Sequence, residues 1–243
     1  YNTSISYFNK VLDIKENDID SLHYLGVISA NNHKNEDAIK YFLKALSFQP
    51  DNFEILFNIG LIYSDINQRS EALKYLHRAL KLKPNDYELL YNIGKLYRYI
   101  ETPDEYSAIK YLKRALLLKP NDIRILMHLG YAHKFIADYK MAIFYTTKAL
   151  ELDPKDYYAL FNLGYLWIAE GNFSKAKGYL EQAYLLQNDD FEVLSNLGLV
   201  NYELNQLPDA VSYFEKALEL APDEENIKLN LQCALEKLNN SNI

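Results

Sequence analysis

Four asparagines return at one place in a repeating pattern: Asn58, Asn92, Asn162 and Asn196, with His128 standing in the register between the second and third. A side-chain amide offers one acceptor and two donors, the complement of a peptide C=O and N–H. A row of such groups along one wall is equipped to hold an extended polypeptide by its backbone, whatever its sequence. The residues beside the row are of a different kind. Just before it come Phe57, Tyr91 and Phe161, and one helical turn after it Lys95, Tyr131 and Tyr165. Exposed aromatic rings in a groove anchor a partner's apolar side chains. Lys95, Arg98, Arg124 and Lys134, with His128, would focus an acidic group of a partner at the middle of the chain. Two plainer readings compete: the amide is the ordinary residue at this helix position, and the charges line a solvated helix edge.

The chemistry of turnover is not written in the chain. The five histidines, His23, His33, His77, His128 and His133, form no HExxH and none lies near the lone Cys233 in a zinc-like spacing. Gly-rich phosphate loops and the GxSxG nucleophile elbow do not occur. Carboxylate pairs such as Asp189–Asp190 fall in turns with no enclosed pocket to tune them. The sequence therefore predicts no enzyme active site, no metal and no cofactor.

What positions the wall is a repeat. Tyrosine recurs at Tyr7, Tyr41, Tyr75, Tyr111, Tyr145, Tyr179 and Tyr213, and glycine at Gly26, Gly60, Gly94, Gly130, Gly164 and Gly198, with a period of 34 broken once by 36. Self-similarity at such a period marks a stacked repeat architecture. Each repeat opens with an apolar-periodic helix, such as Leu56, Ile59, Gly60 and Tyr63, and continues after a short turn into a second, such as Ala72, Tyr75, Leu76, Ala79 and Leu80. Proline closes most repeats, at Pro50, Pro84, Pro120, Pro154 and Pro222. The glycine is expected to face the alanine early in the second helix, Gly60 with Ala72 and Gly164 with Ala176. The tyrosine is expected to fill the groove toward the following repeat.

The expected organisation is a second helix of a truncated repeat at 1–18, repeats at 19–52, 53–86, 87–122, 123–156, 157–190 and 191–224, and a capping helix at 225–243. The extra pair in 87–122 lies within Glu101–Thr102–Pro103–Asp104–Glu105, where Thr102 is expected to cap the second helix, Pro103 to take its first position and Glu105 to complete a capping box.

Leu160, Leu163, Gly164, Trp167, Ala176, Tyr179, Ala183 and Pro154 carry a resemblance to the tetratricopeptide repeat, which covers nearly the whole chain. The family's usual tryptophan is replaced by Leu22, Leu56, Leu90, Leu126, Leu160 and Leu194. The resemblance implies an all-α fold, a right-handed superhelix or α-solenoid of helix-turn-helix repeats, whose first helices line a concave wall. It implies a scaffold binding a peptide or protein segment in that groove. The asparagine row is similar to the ladder in the repeat arm of O-linked N-acetylglucosamine transferases, so a substrate-recognition arm of a larger enzyme is an alternative, and a self-assembling scaffold joined through terminal repeats is another. The positions of the co-chaperone carboxylate clamp hold Phe57, Leu61, Asn92, Arg124 and His128, of which Asn92 alone fits fully, so that clamp is not expected.

Bulk properties narrow the partners. A net charge of −7 without a run of Lys and Arg disfavours nucleic acid. No apolar stretch approaches the ~20 residues that cross a bilayer, so direct membrane insertion is not expected. One cysteine precludes an intrachain disulfide and fits a reducing compartment such as the cytoplasm. The chain opens at Tyr1 inside a repeat, which reads as a piece of a longer protein.

Overall fold

The computed structural model describes residues 2–240, with side chains from Ser4 onward; Tyr1 of the expected 1–18 segment and residues 241–243 of the expected capping helix lie outside the described residues. Every element among the described residues is an α-helix. The chain divides into two compact blocks, one running through Pro120 and one from Asn121. The first block holds α1 (Asn2–Ile14), α2 (Ile19–Asn31), α3 (Asn35–Phe48), α4 (Phe53–Asp65), α5 (Arg69–Leu82), α6 (Tyr87–Tyr99) and α7 (Glu105–Leu118). The second holds α8 (Ile123–Phe135), α9 (Tyr139–Leu152), α10 (Tyr157–Ala169), α11 (Phe173–Leu186), α12 (Phe191–Glu203), α13 (Leu207–Leu220) and α14 (Glu225–Asn240). Within each block the helices pair antiparallel neighbour to neighbour: α2 with α3, α4 with α5 and α6 with α7, then α8 with α9, α10 with α11 and α12 with α13.

Helices of 13 or 14 residues are marginal alone, so capping and packing decide them. Every first helix starts behind an acidic or amide residue: Asp18, Asn52, Asp86, Asp122, Asp156 and Asp190 each accept a backbone N–H of the first turn. Each such cap is worth about 1 kcal/mol. Five of these six helices end in a left-handed residue, at His33, Asn67, Ala137, Gly171 and Asn205, with φ between 58° and 72°. The next residue's N–H reaches back to a carbonyl five residues earlier, as in Lys34 to Ser29 (2.9 Å) and Asn172 to Trp167 (2.8 Å), which reverses the chain in a few residues.

The 87–122 repeat departs from this turn. Its closing bond runs from Asp104 N–H to Tyr97 C=O (2.9 Å), two residues longer, and Asp104 rather than Thr102 caps α7 by accepting the Ser107 N–H (3.0 Å). Thr102 and Pro103 lie in the turn before the helix. Glu105, expected in a capping box, is instead buried at 4% exposure beside Arg98.

The core repeats with the sequence. Leu22, Leu56, Leu90, Leu126, Leu160 and Leu194 are all buried, as are the alanines Ala38, Ala72, Ala108, Ala142, Ala176 and Ala210. Burying such a leucine is worth roughly 1.5–3 kcal/mol. The recurring glycine meets the expected alanine at Gly60, where the Ala72 carbonyl oxygen would lie 3.4 Å from a Cβ, but a nearer neighbour crowds it in each case. A Cβ on Gly164 would stand 2.5 Å from Leu180 Cγ, and on Gly198 2.5 Å from a Phe214 ring carbon; the side chain one turn further along the second helix fills the space. The tyrosine series also packs otherwise than expected. Tyr111 stacks on Tyr97 of its own repeat (5.7 Å between ring centroids, 3° between planes) and meets His77 of the preceding repeat edge-on, whose Nε2 lies 3.2 Å from its hydroxyl. Tyr213 likewise meets Tyr184 of the preceding repeat. Trp167 takes the place of Tyr97 in the 157–190 repeat; its indole N–H is buried without a hydrogen-bond acceptor, and the Lys175 ammonium sits 4.1 Å above the ring.

Candidate functional site

In the second block, side chains of first helices converge on a concavity of about 400 Å³. Lys134 comes from α8, Phe161 and Tyr165 from α10, and Phe191, Glu192, Ser195 and Asn196 from α12, while Glu224, Asn226 and Ile227 close it at the start of α14. Four of the sequence-predicted residues thus meet here: Lys134, Phe161, Tyr165 and Asn196. The rings are held from below. Phe161 stacks parallel on Tyr157 (6.3 Å, 2°), and the Tyr157 hydroxyl donates to Asp190, the residue that caps α12. Burial and that carboxylate hold the Tyr157 phenol above its ordinary range. Tyr165 is 40% exposed and carries the Lys134 ammonium 3.9 Å over its ring. Burial pulls the Lys134 ammonium below the usual lysine range, and the Glu192 charge opposes that pull.

The first block has its own concavity, about 610 Å³, lined by Val27, Ala30 and Asn31 of α2, His33 in the turn, Asn35 and Phe42 of α3, and Asn58, Leu61, Ile62 and Asp65 of α4. Among the sequence-predicted residues only Asn58 lies in it, with its Nδ2 3.1 Å from His23 Nε2.

The asparagine row is not one uniform ladder. Asn162 is buried at 5% exposure and spends its amide hydrogens on Tyr158 C=O (2.6 Å) and the Tyr131 hydroxyl (2.8 Å). Asn92 donates to Glu88 C=O (2.8 Å), one turn back on its own helix. Asn196 alone of the row lines the second-block concavity with no side-chain hydrogen bond to another described residue. His128 is half-buried on α8.

The aromatic positions divide in the same way. Tyr91 is 8% exposed, a core residue and not an open anchor, because α6 buries five further residues around it. Phe57 is half-buried and stacks on Phe53 (5.9 Å, 12°), and Tyr131 is half-buried where it receives the Asn162 amide. The expected basic centre is largely spent on internal acids. Arg98 Nε pairs with Glu105 (3.1 Å), and Arg124 grips Asp122 through Nη2 (2.8 Å) and Nε (3.2 Å). That grip holds the Asp122 carboxyl below its usual range. Lys95 is half-buried on α6.

Other features of the site have a sequence signal outside the row. The N-capping series is legible as Asp or Asn one residue before each first helix. The charge is also divided: residues 1–120 hold 16 Lys and Arg against 15 Asp and Glu, a net of +1, whereas 121–243 hold 10 against 18, a net of −8. Among the described residues no group of three or more His, Cys, Asp or Glu is arranged to hold a metal, and no helix is long and apolar enough to cross a membrane.

Family profiles described as tetratricopeptide repeat match residues 19–52, 53–86, 87–122, 123–156, 158–184 and 191–224. Among solved structures, a crystal structure of MamA matches with a TM-score of 0.64 at 26% identity, covering 69% of this chain and 97% of that one. YrrB, described as a TPR protein with an unusual peptide-binding site, matches with a TM-score of 0.69 at 22% identity, covering 79% and 96%. PilF of Pseudomonas aeruginosa gives 0.69 at 19%, covering 90% and 97%. At those identities the last two show a shared fold. No curated protein matches the sequence. Neither these matches nor the asparagine geometry supports the finer resemblance to the repeat arm of O-linked N-acetylglucosamine transferases. Six matched repeats, each built as the same pair of helices, give the assignment: the chain belongs to the tetratricopeptide repeat proteins.

Proposed function

We propose that this protein is a non-catalytic docking scaffold that holds a segment of a partner polypeptide in the concavity lined by Lys134, Phe161, Tyr165 and Asn196. One observation carries the reading. Lys134, Phe161 and Tyr165, at positions that vary between repeats, converge with Phe191 and the uncommitted amide of Asn196 on an open hollow that thus presents three aromatic rings. Rings fixed from beneath lose little freedom on contact, which favours them as anchors. The Asn196 amide supplies a donor and an acceptor for a passing backbone. YrrB, which shares the fold, is described as having a peptide-binding site, and that supports the same use of the fold here.

The test is positional crosslinking. A photoreactive phenylalanine analogue at Phe161 is expected to capture a polypeptide that the same analogue at the exposed Phe144 on α9 does not. Tyr165→Ser combined with Asn196→Ala is expected to remove that product while shifting stability by no more than about 0.5 kcal/mol per site. Equal capture from both positions, or capture indifferent to the double substitution, sinks the reading.

A further inference from the structure

One position in the hollow is built elsewhere in this chain with an extra part. In the 53–86 repeat, Phe53 opens α4 and Glu54 follows it. Lys83, at the end of the same repeat, lays its ammonium 3.9 Å over the Phe53 ring and 3.0 Å from the Glu54 carboxylate. The 87–122 repeat does likewise: Lys119 sits 4.4 Å over the Tyr87 ring and donates to its hydroxyl at 3.1 Å. An aromatic ring followed by an acid, covered by a lysine that ends the repeat, is thus a recurring small assembly.

The 191–224 repeat carries the ring and the acid, Phe191 and Glu192, but the residue in the lysine's register, 30 positions on, is Ala221. Both Phe191 and Glu192 line the second-block hollow. Among the described residues Phe191 packs one side on the apolar core around Leu194 and Ile227 and its ring has no aromatic or cationic partner, and neither Glu192 nor the neighbouring Glu224 joins an ion pair. The hollow's one cation, Lys134, is occupied over Tyr165. A π-face beside a carboxylate that joins no ion pair, and that feels only the more distant charge of Lys134, is a receptor for a cation, and a block with a net of −8 raises the local concentration of one.

We propose that Phe191 and Glu192 form an open slot for a lysine or arginine side chain of the docked segment, so that the partner completes the assembly that Lys83 completes internally at Phe53 and Glu54. The slot therefore selects a basic segment, where the sequence alone had pointed to an acidic one. This rests on the docking reading above and adds the partner's charge to it.

The chain supplies its own blocking variant. Ala221 ends α13 with φ −136° and ψ 73°, close to the −129° and 81° of Lys83, so Ala221→Lys can place its ammonium as Lys83 does. The probes are fluorescein-labelled synthetic peptides of one length and one phenylalanine pattern, with arginine, glutamine or glutamate at the same positions, read by fluorescence anisotropy at two salt concentrations. The arginine peptide is expected to bind tightest and to weaken as salt rises. Glu192→Gln is expected to weaken it about five- to tenfold, and Ala221→Lys at least as much, with the glutamine peptide left unchanged by Glu192→Gln. Preference for the glutamate peptide, lost in Phe161→Ala, overturns the slot and leaves the docking reading standing. Arginine binding that ignores both Glu192→Gln and Ala221→Lys also overturns the slot. If no peptide distinguishes the native hollow from Phe161→Ala, both proposals fall.

Discussion

Arg98 Nε lies 3.1 Å from Glu105 Oε2 with both side chains nearly out of solvent, spanning the turn that is two residues longer than its counterparts. Burial raises the Glu105 carboxyl above its usual range even though the Arg98 charge works against that rise. A buried pair adds little over apolar packing, yet removing one member is costly. Glu105→Ala should therefore lose about 3 kcal/mol in urea unfolding. Adding Arg98→Ala should cost much less than its effect alone, because the two residues couple. A loss under about 0.5 kcal/mol for Glu105→Ala would mean that the turn is held by Asp104 and its backbone bonds alone.

Ala137 holds φ at 58°, where Gly171 and the asparagines Asn67 and Asn205 stand in the matching turns. A Cβ in that region costs roughly 1–2 kcal/mol, and glycine avoids it at some loss of chain entropy. Ala137→Gly is expected to raise stability by about 0.5–1 kcal/mol, a higher thermal midpoint in calorimetry. Gly171→Ala should move the midpoint the other way.

Burial raises the phenol pKa of Tyr63, Tyr97, Tyr145, Tyr157 and Tyr213, with the Asp190 bond adding to it at Tyr157. The folded chain thus keeps these protons more tightly than the unfolded chain. Their contribution is complete below the unfolded value of about 10 and is lost as pH climbs past it. The fold should weaken steeply in alkali, followed by circular dichroism, while phenolate absorbance grows in step with unfolding. Tyr157→Phe should blunt the alkaline loss. Phenolate appearing well before the helices melt would contradict the burial argument.

Much of this fold is legible because it is periodic: Leu56, Leu90 and Leu160 sit in equivalent surroundings, so one repeat's pattern speaks for the others. The site is less so, because identical residues in one register meet different neighbours. Asn162 and Asn196 occupy the same helix position, each with a tyrosine 31 residues earlier, yet only Tyr131 receives the amide, so Asn162 sinks into the structure, while Tyr165 carries Lys134 over its ring and Asn196 stays in the hollow. Tyr91 resembles Phe161 in register and is lost to the core for a similar reason, the crowding around α6. Arg98 and Arg124 look like a positive centre until their acids, Glu105 and Asp122, are placed beside them. The Phe191 slot is written in the sequence, but only as an omission, visible once Lys83 has been seen over Phe53.

Trp167 is the one tryptophan of the chain, and α10 also carries Phe161 and Tyr165. Its ultraviolet emission is therefore a lamp fitted to a single rung. With its N–H sheltered from water and a lysine charge over the ring, the colour of that light should shift when this rung loosens, even if distant rungs stay shut. Fluorescence and circular dichroism, recorded together, can thus separate the fraying of one helix pair from the melting of the whole array.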